Sequence, residues 1–346
     1  MSDLRIRLGH NLGPFLALAL FLVFYLIYNA NHPRGFSGQI LVQNANESFV
    51  LVMVAMAQTL PALIGGLDLS VGAVMTMVNT LASHLMVGSP LQVLGGVIIC
   101  LAVGMLAGFI NGCIVVYGRI QPIIATLASG AVYMGIALFL RPTPGGKIDG
   151  DLSWALTNDI YEFAATYGFA DAGEAAWLQP IAWIPLPIIF LVLIVLLIWL
   201  PFRRSVTGRG LYAVGSAEGA AYMSGVRVDR SKIAAFTFAG LFAALAGIYL
   251  TLQTSSGNAD VPQAGAYTLN SIAAVVIGGT SLLGGVGGAI GSIFGALVIR
   301  SISFNFRIFS VDPLLQPLIE GVVLLAAVSI GAARVFQAKN KLELFR

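Results

Sequence analysis

The stretch GGLDLSVG, residues 65–72, interrupts two apolar runs with a glycine pair, an acid and a hydroxyl group. Gly65 and Gly66 permit a sharply turned backbone, which at membrane depth is stable only where protein or a water-filled cavity satisfies its polar groups. Asp68 is costly in such a place, so it either faces a polar pathway or, together with Ser70, caps the helix that follows. Both interpretations predict a broken helix at this segment.

Apolar runs of this kind recur along the whole chain. Of its 346 residues, 58% are hydrophobic and 10% are charged, whereas soluble domains carry about a quarter charged residues. An apolar block of about 20 residues is long enough to cross the hydrocarbon layer of a membrane. We therefore predict an all-α polytopic membrane protein whose residues 1–346 form one transmembrane domain. The ten predicted spans are 12–28, 40–64, 67–87, 91–117, 122–140, 181–200, 233–252, 268–283, 287–304 and 313–333.

The distribution of lysine and arginine over the loops predicts the orientation of these spans, because basic residues accumulate in cytoplasmic loops. With the N-terminus in the cytoplasm, thirteen basic residues fall inside and five outside. This excess, with ten spans, places both termini in the cytoplasm. The thirteen are Arg5, Arg7, Arg119, Arg203, Arg204, Arg209, Arg227, Arg230, Lys232, Arg334, Lys339, Lys341 and Arg346. The five are Arg34, Arg141, Lys147, Arg300 and Arg307.

Two segments are too polar to lie in the membrane. Residues 141–180 form an acidic loop that the orientation places outside, where it either contacts a soluble partner or is simply solvated. Residues 201–232 form the main cytoplasmic loop, which is basic at both ends. The acids of the outer loop are Asp149, Asp151, Asp159, Glu162, Asp171 and Glu174.

The sequence offers no enzymatic machinery. It contains no GxxxxGK[ST] phosphate loop, no HExxH or Cys/His metal spacing and no GxSxG elbow. We therefore predict no catalytic residue, no metal site and no cofactor in this chain, and active transport would need energy from another subunit. A net charge of +3 without basic clusters among aromatic residues also argues against nucleic acid as a partner, while the apolar spans predict contact with membrane lipid.

Polar residues on the central spans are candidates for the lining of a pathway. Amide and hydroxyl side chains at these positions suit a polyhydroxylated solute, although each can equally serve a hydrogen bond between helices. Both interpretations remain open. The candidates are Gln58, Asn79, Asn111, Thr126, Ser129, Asn270 and Asn305.

Glycines repeat every fourth residue in two spans, at positions 104, 108 and 112 and at positions 287, 291 and 295. Faces of this kind let helix backbones approach closely in lipid. We interpret both repeats as packing surfaces.

Within residues 208–232 the sequence predicts a short cytoplasmic helix between glycine hinges. Residues 217–224 place small side chains on a slim surface, and Glu218 lies near the start, where an acid favours the helix dipole. Such a helix can fit a groove of a cytosolic partner. An ordinary connecting loop is the alternative, although a loop of this length without a function is uncommon.

Four motifs then resemble a known family. They are GGLDLSVG at 65–72, NGxxVVYGRIQPIIATLA at 111–128, GxxEGAAYMSGV at 215–226 and LNSIAAVVIGGTSLLGGVGG at 269–288. Together, and in this order, they resemble the permeases of ribose/xylose/arabinose-type bacterial ABC sugar importers. The resemblance covers roughly residues 40–330 and excludes the N-terminal segment and the loop 141–180.

The resemblance implies a permease dimer in the bacterial inner membrane, with a cytosolic ABC ATPase below it and a periplasmic sugar-binding protein above it. The ATPase would carry ATP and Mg²⁺, and this chain would pass a monosaccharide across the membrane. The pairing of two identical or two different permease chains stays open. The implied ATPase-coupling helix comprises Glu218, Gly219, Ala220, Ala221, Met223, Ser224 and Gly225.

The motifs also differ from the family pattern in places. Asn270 stands where an acidic residue is frequent, so no charged role carries over to it, and Ala217 and Val286 replace the usual Asn and Arg. A related permease for a nucleoside or a branched-chain amino acid is a near alternative. A secondary transporter that uses Asp68 to couple an ion is a more distant one, because midspan acids are few, essentially Asp68 and Glu320.

Overall fold

The computed structural model describes residues 2–146, 148–168 and 180–312, together with residues 315, 318, 319, 321, 322 and 325. This part of the chain forms helices and no β-strand, which confirms an all-α polytopic membrane protein. The helices are α1 (Ser2–Asn31), α2 (Gly38–Leu63), α3 (Val71–Leu85), α4 (Pro90–Tyr117), α5 (Pro122–Leu140), α6 (Gly150–Thr157), α7 (Ile160–Tyr167), α8 (Leu186–Arg204), α9 (Val206–Ser216), α10 (Glu218–Met223), α11 (Val228–Thr254), α12 (Val261–Ile277) and α13 (Ala289–Ile308).

Seven of these helices are long and apolar enough to cross a membrane, namely α1, α2, α4, α5, α8, α11 and α13. The other two apolar helices, α3 and α12, have 15 and 17 residues and are shorter than a full span. The predicted span 268–283 is wrong in its bounds, because α12 begins at Val261 and ends at Ile277, before a glycine-rich loop. The predicted tenth span, 313–333, lies largely outside the described residues.

The two ends of the bundle differ in charge. The basic end is the end of the bundle at which α2, α4 and α8 terminate. Helices α9 and α10 lie there, and so do Arg119, Arg203, Arg204, Arg209 and Arg230. The acidic end is the opposite end, at which α3, α5, α11 and α13 terminate. Helices α6 and α7 lie there, and so do Asp149, Asp151, Asp159 and Glu162. Asp171 and Glu174 of the predicted acidic loop lie outside the described residues.

The helix break predicted at 65–72 is formed by a glycine-terminated helix end. Gly65, at φ +74°, donates its N–H to the carbonyl of Ala62, and Gly66 donates to the carbonyl of Pro61. This pair of bonds is a Schellman motif, which requires a left-handed residue and therefore favours glycine. The chain then runs without helix to Ser70, and α3 begins at Val71.

Helix α11 lies at the centre of the bundle and packs against α2, α3 and α4. Its contact with α4 depends on the first glycine repeat: a Cβ added to Gly108 would lie 2.1 Å from the carbonyl oxygen of Phe236. Gly104 and Gly240 face each other in the same way. The repeat is thus a packing surface within the chain, as predicted.

The second repeat is also a packing surface. A Cβ at Gly291 would lie 2.2 Å from the carbonyl oxygen of Gly278, and one at Gly295 would lie 2.0 Å from that of Ala274. These contacts hold α13 against α12, while α1 packs on another side of α13.

The close approach of α4 and α11 predicts a large difference between two alanine substitutions in α4. Gly108→Ala forces the helices apart, and overpacking of this kind costs about 1–3 kcal/mol. Gly95→Ala has open space around its new methyl group. We expect Gly108→Ala to lower the thermal midpoint of the purified protein in detergent, and Gly95→Ala to leave it unchanged or slightly higher. Equal midpoints for the two variants would contradict the packing described here.

Candidate functional site

Three chain segments meet at the basic end in a junction of glycines, which we call the glycine junction: Leu63–Gly65 after α2, Gly215 on α9, and Gly284–Gly285 before α13. The Leu63 carbonyl accepts the Gly285 N–H at 2.9 Å. A Cβ at Gly215 would lie 1.9 Å from that carbonyl oxygen, and one at Gly284 would lie 2.8 Å from the Gly65 nitrogen. No side chain fits at these contacts, so the three backbones touch directly.

A chain of hydrogen bonds holds Asp68 beyond the helix break. Asp68 is 3% exposed, and its Oδ1 accepts the Ser70 N–H at 2.8 Å and the Ser70 hydroxyl at 2.6 Å. The Asn111 side chain in turn donates to Ser70 Oγ at 2.8 Å. Next along this chain, the Tyr133 hydroxyl lies 3.1 Å from Asn111 Oδ1. Four polar side chains from the break, α4 and α5 are therefore linked.

Two further side chains bond the backbone of the break. With its amide nitrogen facing the Asp68 carbonyl, Gln58 donates to that oxygen at 2.8 Å and accepts the Asp68 N–H at 3.2 Å. Thr126 Oγ1 accepts the Leu69 N–H at 2.9 Å. The non-helical backbone thus receives the partners that membrane depth demands. We call Gln58, Asp68, Ser70, Asn111, Thr126 and Tyr133 the Asp68 cluster.

The Asp68 cluster lies nearer the basic end than the middle of the bundle. Asn111 precedes the last residue of α4 by six residues, and Thr126 follows the first residue of α5 by four, which correspond to about 9 Å and about 6 Å along the helices. The description of Asp68 as a midspan acid is therefore wrong. The Ser70 side chain makes no capping bond to α3; the Asp68 carboxylate instead closes a local turn on Ser70.

Helix α10 forms on the surface of the basic end. It ends in a second Schellman motif, in which Gly225, at φ +80°, donates to Tyr222 and Val226 donates to Ala221. Lys232 of α11 forms an ion pair with Glu218 at 2.7 Å. Ala221 is buried.

A cavity of about 580 Å³ opens between α10 and the helix break. Gly65 and Gly66 of the break line it, together with Glu218 of α10 and Lys232 of α11. The remaining lining residues are Ile64, Val115, Val116, Arg119, Ile120, Gln121, Pro122 and Asp229. Helix α10 and the break are therefore neighbours in space as well as through the glycine junction.

The comparisons with known proteins decide the family. The family model described as "Branched-chain amino acid transport system / permease component" matches residues 40–328. The chain belongs to this permease family. The match covers nearly the range in which the four motifs predicted a resemblance, and it establishes a transport role.

Several curated relatives of this permease are named as sugar permeases. The ribose import permease protein RbsC of Bacillus subtilis is 34% identical over 92% of this chain and 91% of its own length. The D-allose transport system permease protein AlsC of Escherichia coli is 29% identical over 92% and 90%. The fructose import permease protein FrcC of Rhizobium meliloti is 32% identical over 92% and 84%. No solved structure gives a significant match.

The structure corrects the predicted surface of α10 in this permease. Ala221 is not on the exposed surface, because it packs with Val214 and Val228 beneath the helix. The large apolar side chains that α10 exposes are Met223, which is 84% exposed, and Tyr222, which is 71% exposed. Tyr222 was missed in the sequence, because the burial of Ala221 beside it depends on Val214 and Val228, which only the fold brings together. Gly219, Ala220, Ser224 and Gly225 are exposed, as expected.

Arg300 does not lie in an outer loop, where the distribution of basic residues had placed it. It lies inside α13, eight residues before Ile308, or about 12 Å from that end. Its guanidinium donates to the Tyr267 hydroxyl at 2.8 Å and lies 5.5 Å from the centre of that ring. Charged residues at such depth are rare and usually contact a polar interior. Arg300 is therefore an additional candidate for the pathway of this permease.

The structure brings Gln58, Asp68, Ser70, Asn111 and Thr126 together in the Asp68 cluster. Asn270 is half-buried on α12. On the same helix, Thr268 Oγ1 accepts the Gly72 N–H of α3 at 3.1 Å. Among the described residues, no group of three His, Cys, Asp or Glu side chains is placed to hold a metal.

The bond from Leu69 to Thr126 predicts a contrast between two threonines. Thr126→Val leaves the Leu69 N–H without an acceptor, and an unsatisfied buried donor costs about 1–3 kcal/mol. Thr76→Val is a matched control, because the buried Thr76 hydroxyl has no hydrogen-bond partner in the described structure. We expect only Thr126→Val to lower the thermal midpoint of the detergent-purified permease. A loss of similar size in Thr76→Val would contradict the role given to Thr126.

Proposed function

We propose that this chain is the transmembrane permease subunit of an ATP-driven importer that moves a monosaccharide across the bacterial inner membrane. The observation that carries the proposal is the direct contact, at the glycine junction, between the segment that bears α10 and the helix break beside Asp68. A surface helix with exposed Tyr222 and Met223 suits a partner's groove. The names of the ribose, allose and fructose permeases favour a sugar as the solute.

The proposed orientation puts the basic end in the cytoplasm and, with it, both termini. Removing Arg300 from the outer loops leaves a ratio of thirteen to four basic residues, which favours this orientation more strongly. Helix α10 then lies on the side where a cytosolic ATPase binds. The acidic end, with α6 and α7, faces a periplasmic sugar-binding protein.

In this account α10 receives the movement of the ATPase as a rigid unit. Its Schellman motif fixes one end, and the ion pair between Glu218 and Lys232 ties it to α11. The three backbones at the glycine junction touch without intervening side chains, so a displacement of α9 and α10 must move Gly65 or Gly284 as well. Interfaces packed this closely shift between discrete arrangements rather than deform gradually.

The Asp68 cluster would form the inner part of the pathway. Its side chains bond to one another and to the backbone of the break, so this conformation leaves them closed to solute. When Gly65 and Gly66 turn, the hydroxyl groups of a sugar can replace those bonds, because they both donate and accept. Asn270 and Arg300 are candidates for a more outward part of the same pathway.

The chain would supply the pathway and a separate ATPase would supply the energy. Binding of ATP and Mg²⁺ and hydrolysis are assigned to that ATPase, so this subunit is not an enzyme. A second permease copy, identical or homologous, would complete the pathway, and residues 1–346 would form one transmembrane domain in each copy.

Two alternatives remain. The family description favours a permease of the same type for a branched-chain amino acid, which would change the solute and leave the mechanism intact. An ion-coupled secondary transporter is less well supported, because Asp68 is occupied by local bonds to Ser70.

The exposed face of α10 can be tested in the complete importer. We expect Met223→Glu to prevent capture of the ATPase and to reduce ATP-dependent sugar uptake at least about tenfold, because hot-spot contacts of this kind contribute about 2 kcal/mol or more. The measurement uses proteoliposomes that contain the permease with its ATPase and binding protein, and labelled ribose, allose and fructose.

Val206→Glu is the matched control, because Val206 is 80% exposed at the basic end but lies outside α10. Its uptake should equal that of the unmodified importer. Equal uptake by Met223→Glu and Val206→Glu would refute the docking role of α10. Uphill uptake by the permease alone, driven by an ion gradient, would refute the ATP-driven function.

A further inference from the structure

The acidic end contains a second cavity of about 580 Å³, which none of the predicted site residues touches. We call it the outer cavity. It lies between the first turns of α2, the last turn of α11 and the helices α6 and α7. Its lining residues are Gln39, Val42, Gln43, Asn46, Gly150, Ser153, Trp154, Thr157, Asn158, Asp159, Glu162, Gln253 and Ser255.

Among the described residues, most side chains that line the outer cavity are polar, and their charge is negative only. Five of these side chains are amides, two are carboxylates and three are hydroxyls, and Val42 is the only aliphatic one among them. Amides both donate and accept hydrogen bonds, whereas carboxylates only accept. This set suits a neutral ligand with many hydroxyl groups. With no lysine or arginine among the described lining residues, this set disfavours a phosphate or carboxylate.

One aromatic side chain supplies the apolar surface. Trp154 is 54% exposed, and its indole N–H donates to Glu162 Oε2 at 2.9 Å. Asp159 Oδ1 accepts the Glu162 N–H, and the Asn158 amide donates to the Trp154 carbonyl, both at 2.9 Å. The tryptophan and the two acids are thus held in place before a ligand arrives, which lowers the entropy cost of binding. An amphipathic ring beside fixed acceptors suits the apolar face and hydroxyl edge of a sugar.

The outer cavity is joined to the helices that lead to the Asp68 cluster. The Ser153 hydroxyl donates to the Leu252 carbonyl at the end of α11 and lies 2.8 Å from Ser255 Oγ. On the opposite wall, the Tyr249 hydroxyl of α11 donates to Asn46 of α2 at 2.9 Å. Helix α2 itself ends at the break before Asp68. A ligand in the outer cavity would therefore lie at the outer ends of helices that border the proposed pathway.

We infer that the outer cavity is an entry site at which the permease itself binds a neutral monosaccharide. Its volume lies within the range of about 300–1,000 Å³ that small-molecule sites occupy. The inference rests on the proposed function for the identity of the solute as a sugar. Asp159 and Glu162 accept the sugar's hydroxyl groups, Gln39 and Gln253 bind its remaining polar edge, and Trp154 covers an apolar face.

The test is saturation-transfer NMR on the full-length permease in nanodiscs, without ATPase or binding protein. The probes are D-ribose, D-allose and D-fructose, with ribose 5-phosphate as the anionic comparison. We expect transfer to at least one neutral sugar and none to the phosphate. Trp154→Ala should reduce that transfer about fivefold, the value of one aromatic contact.

Trp183→Ala is the matched control, because Trp183 is also about half exposed, at 53%, and lies outside the outer cavity. Its signal should equal that of the unmodified permease. Glu162→Gln is a second variant that keeps an acceptor for the Trp154 indole and removes the charge. It should weaken the signal as well, which keeps the test valid if Trp154→Ala fails to fold.

Three results would overturn the inference: transfer to no neutral sugar, equal transfer in Trp154→Ala and Trp183→Ala, or preferential transfer to ribose 5-phosphate. A further outcome is that the permease alone binds no sugar and Trp154→Ala impairs uptake only when the binding protein is present. The outer cavity then receives a loop of the binding protein instead of a sugar. ATP-driven uptake by the unmodified importer is measured separately, so a failure of the proposed function is distinguishable from a failure of the entry site.

Discussion

The direct contact of three backbones at the glycine junction constrains the rest of this structure. Gly215 leaves no room for a side chain beside the Leu63 carbonyl, and the same carbonyl accepts the Gly285 N–H. Each of the three segments is next to a helix that is terminated by a glycine in the left-handed conformation. These glycines are Gly65 after α2, Gly225 after α10 and Gly279 after α12. Each glycine lets its helix stop abruptly with satisfied carbonyls. Helices that end abruptly are what allow the junction to form.

The same helix ends explain the polar cluster beneath them. Once α2 stops at Leu63, the residues up to Ser70 lie without helical bonds, and because Asp68 and Ser70 are buried, side chains replace those bonds. Gln58 bonds both backbone groups of Asp68, and Thr126 bonds the Leu69 N–H. The polar residues that make a pathway possible are therefore also those that stabilise the break. A displacement of the break would exchange internal bonds for bonds to solute.

The sequence predicted the elements that hydropathy and local chemistry determine. The break at Gly65 and the short helix from Glu218 were predicted because glycines, acids and small residues are unusual inside apolar runs. The predicted span 268–283 had the wrong bounds because the loop from Gly278 to Gly288 is apolar enough to resemble part of a span. Arg300 was assigned to a loop because periodicity does not show which residues of α13 lie at membrane depth.

Contacts between distant segments could not be predicted in this way. Gln58, Asp68, Asn111 and Thr126 were all candidates, yet nothing in the sequence indicated that they join in one cluster. Ala221 was placed on the surface because its burial depends on Val214 and Val228. The outer cavity was not foreseen either, because its walls come from α2, α6, α7 and α11 and only the fold brings them together.

The most direct measurement of the central claim is the amount of sugar imported per ATP hydrolysed by a complete importer that carries Gly215→Ala. Gly95→Ala on α4, which has open space around its new methyl group and lies outside α10, is the control. If movement reaches the break through the glycine junction, Gly215→Ala retains its ATPase and hydrolyses ATP but imports little sugar, while Gly95→Ala imports normally. An unchanged ratio in Gly215→Ala would contradict the account.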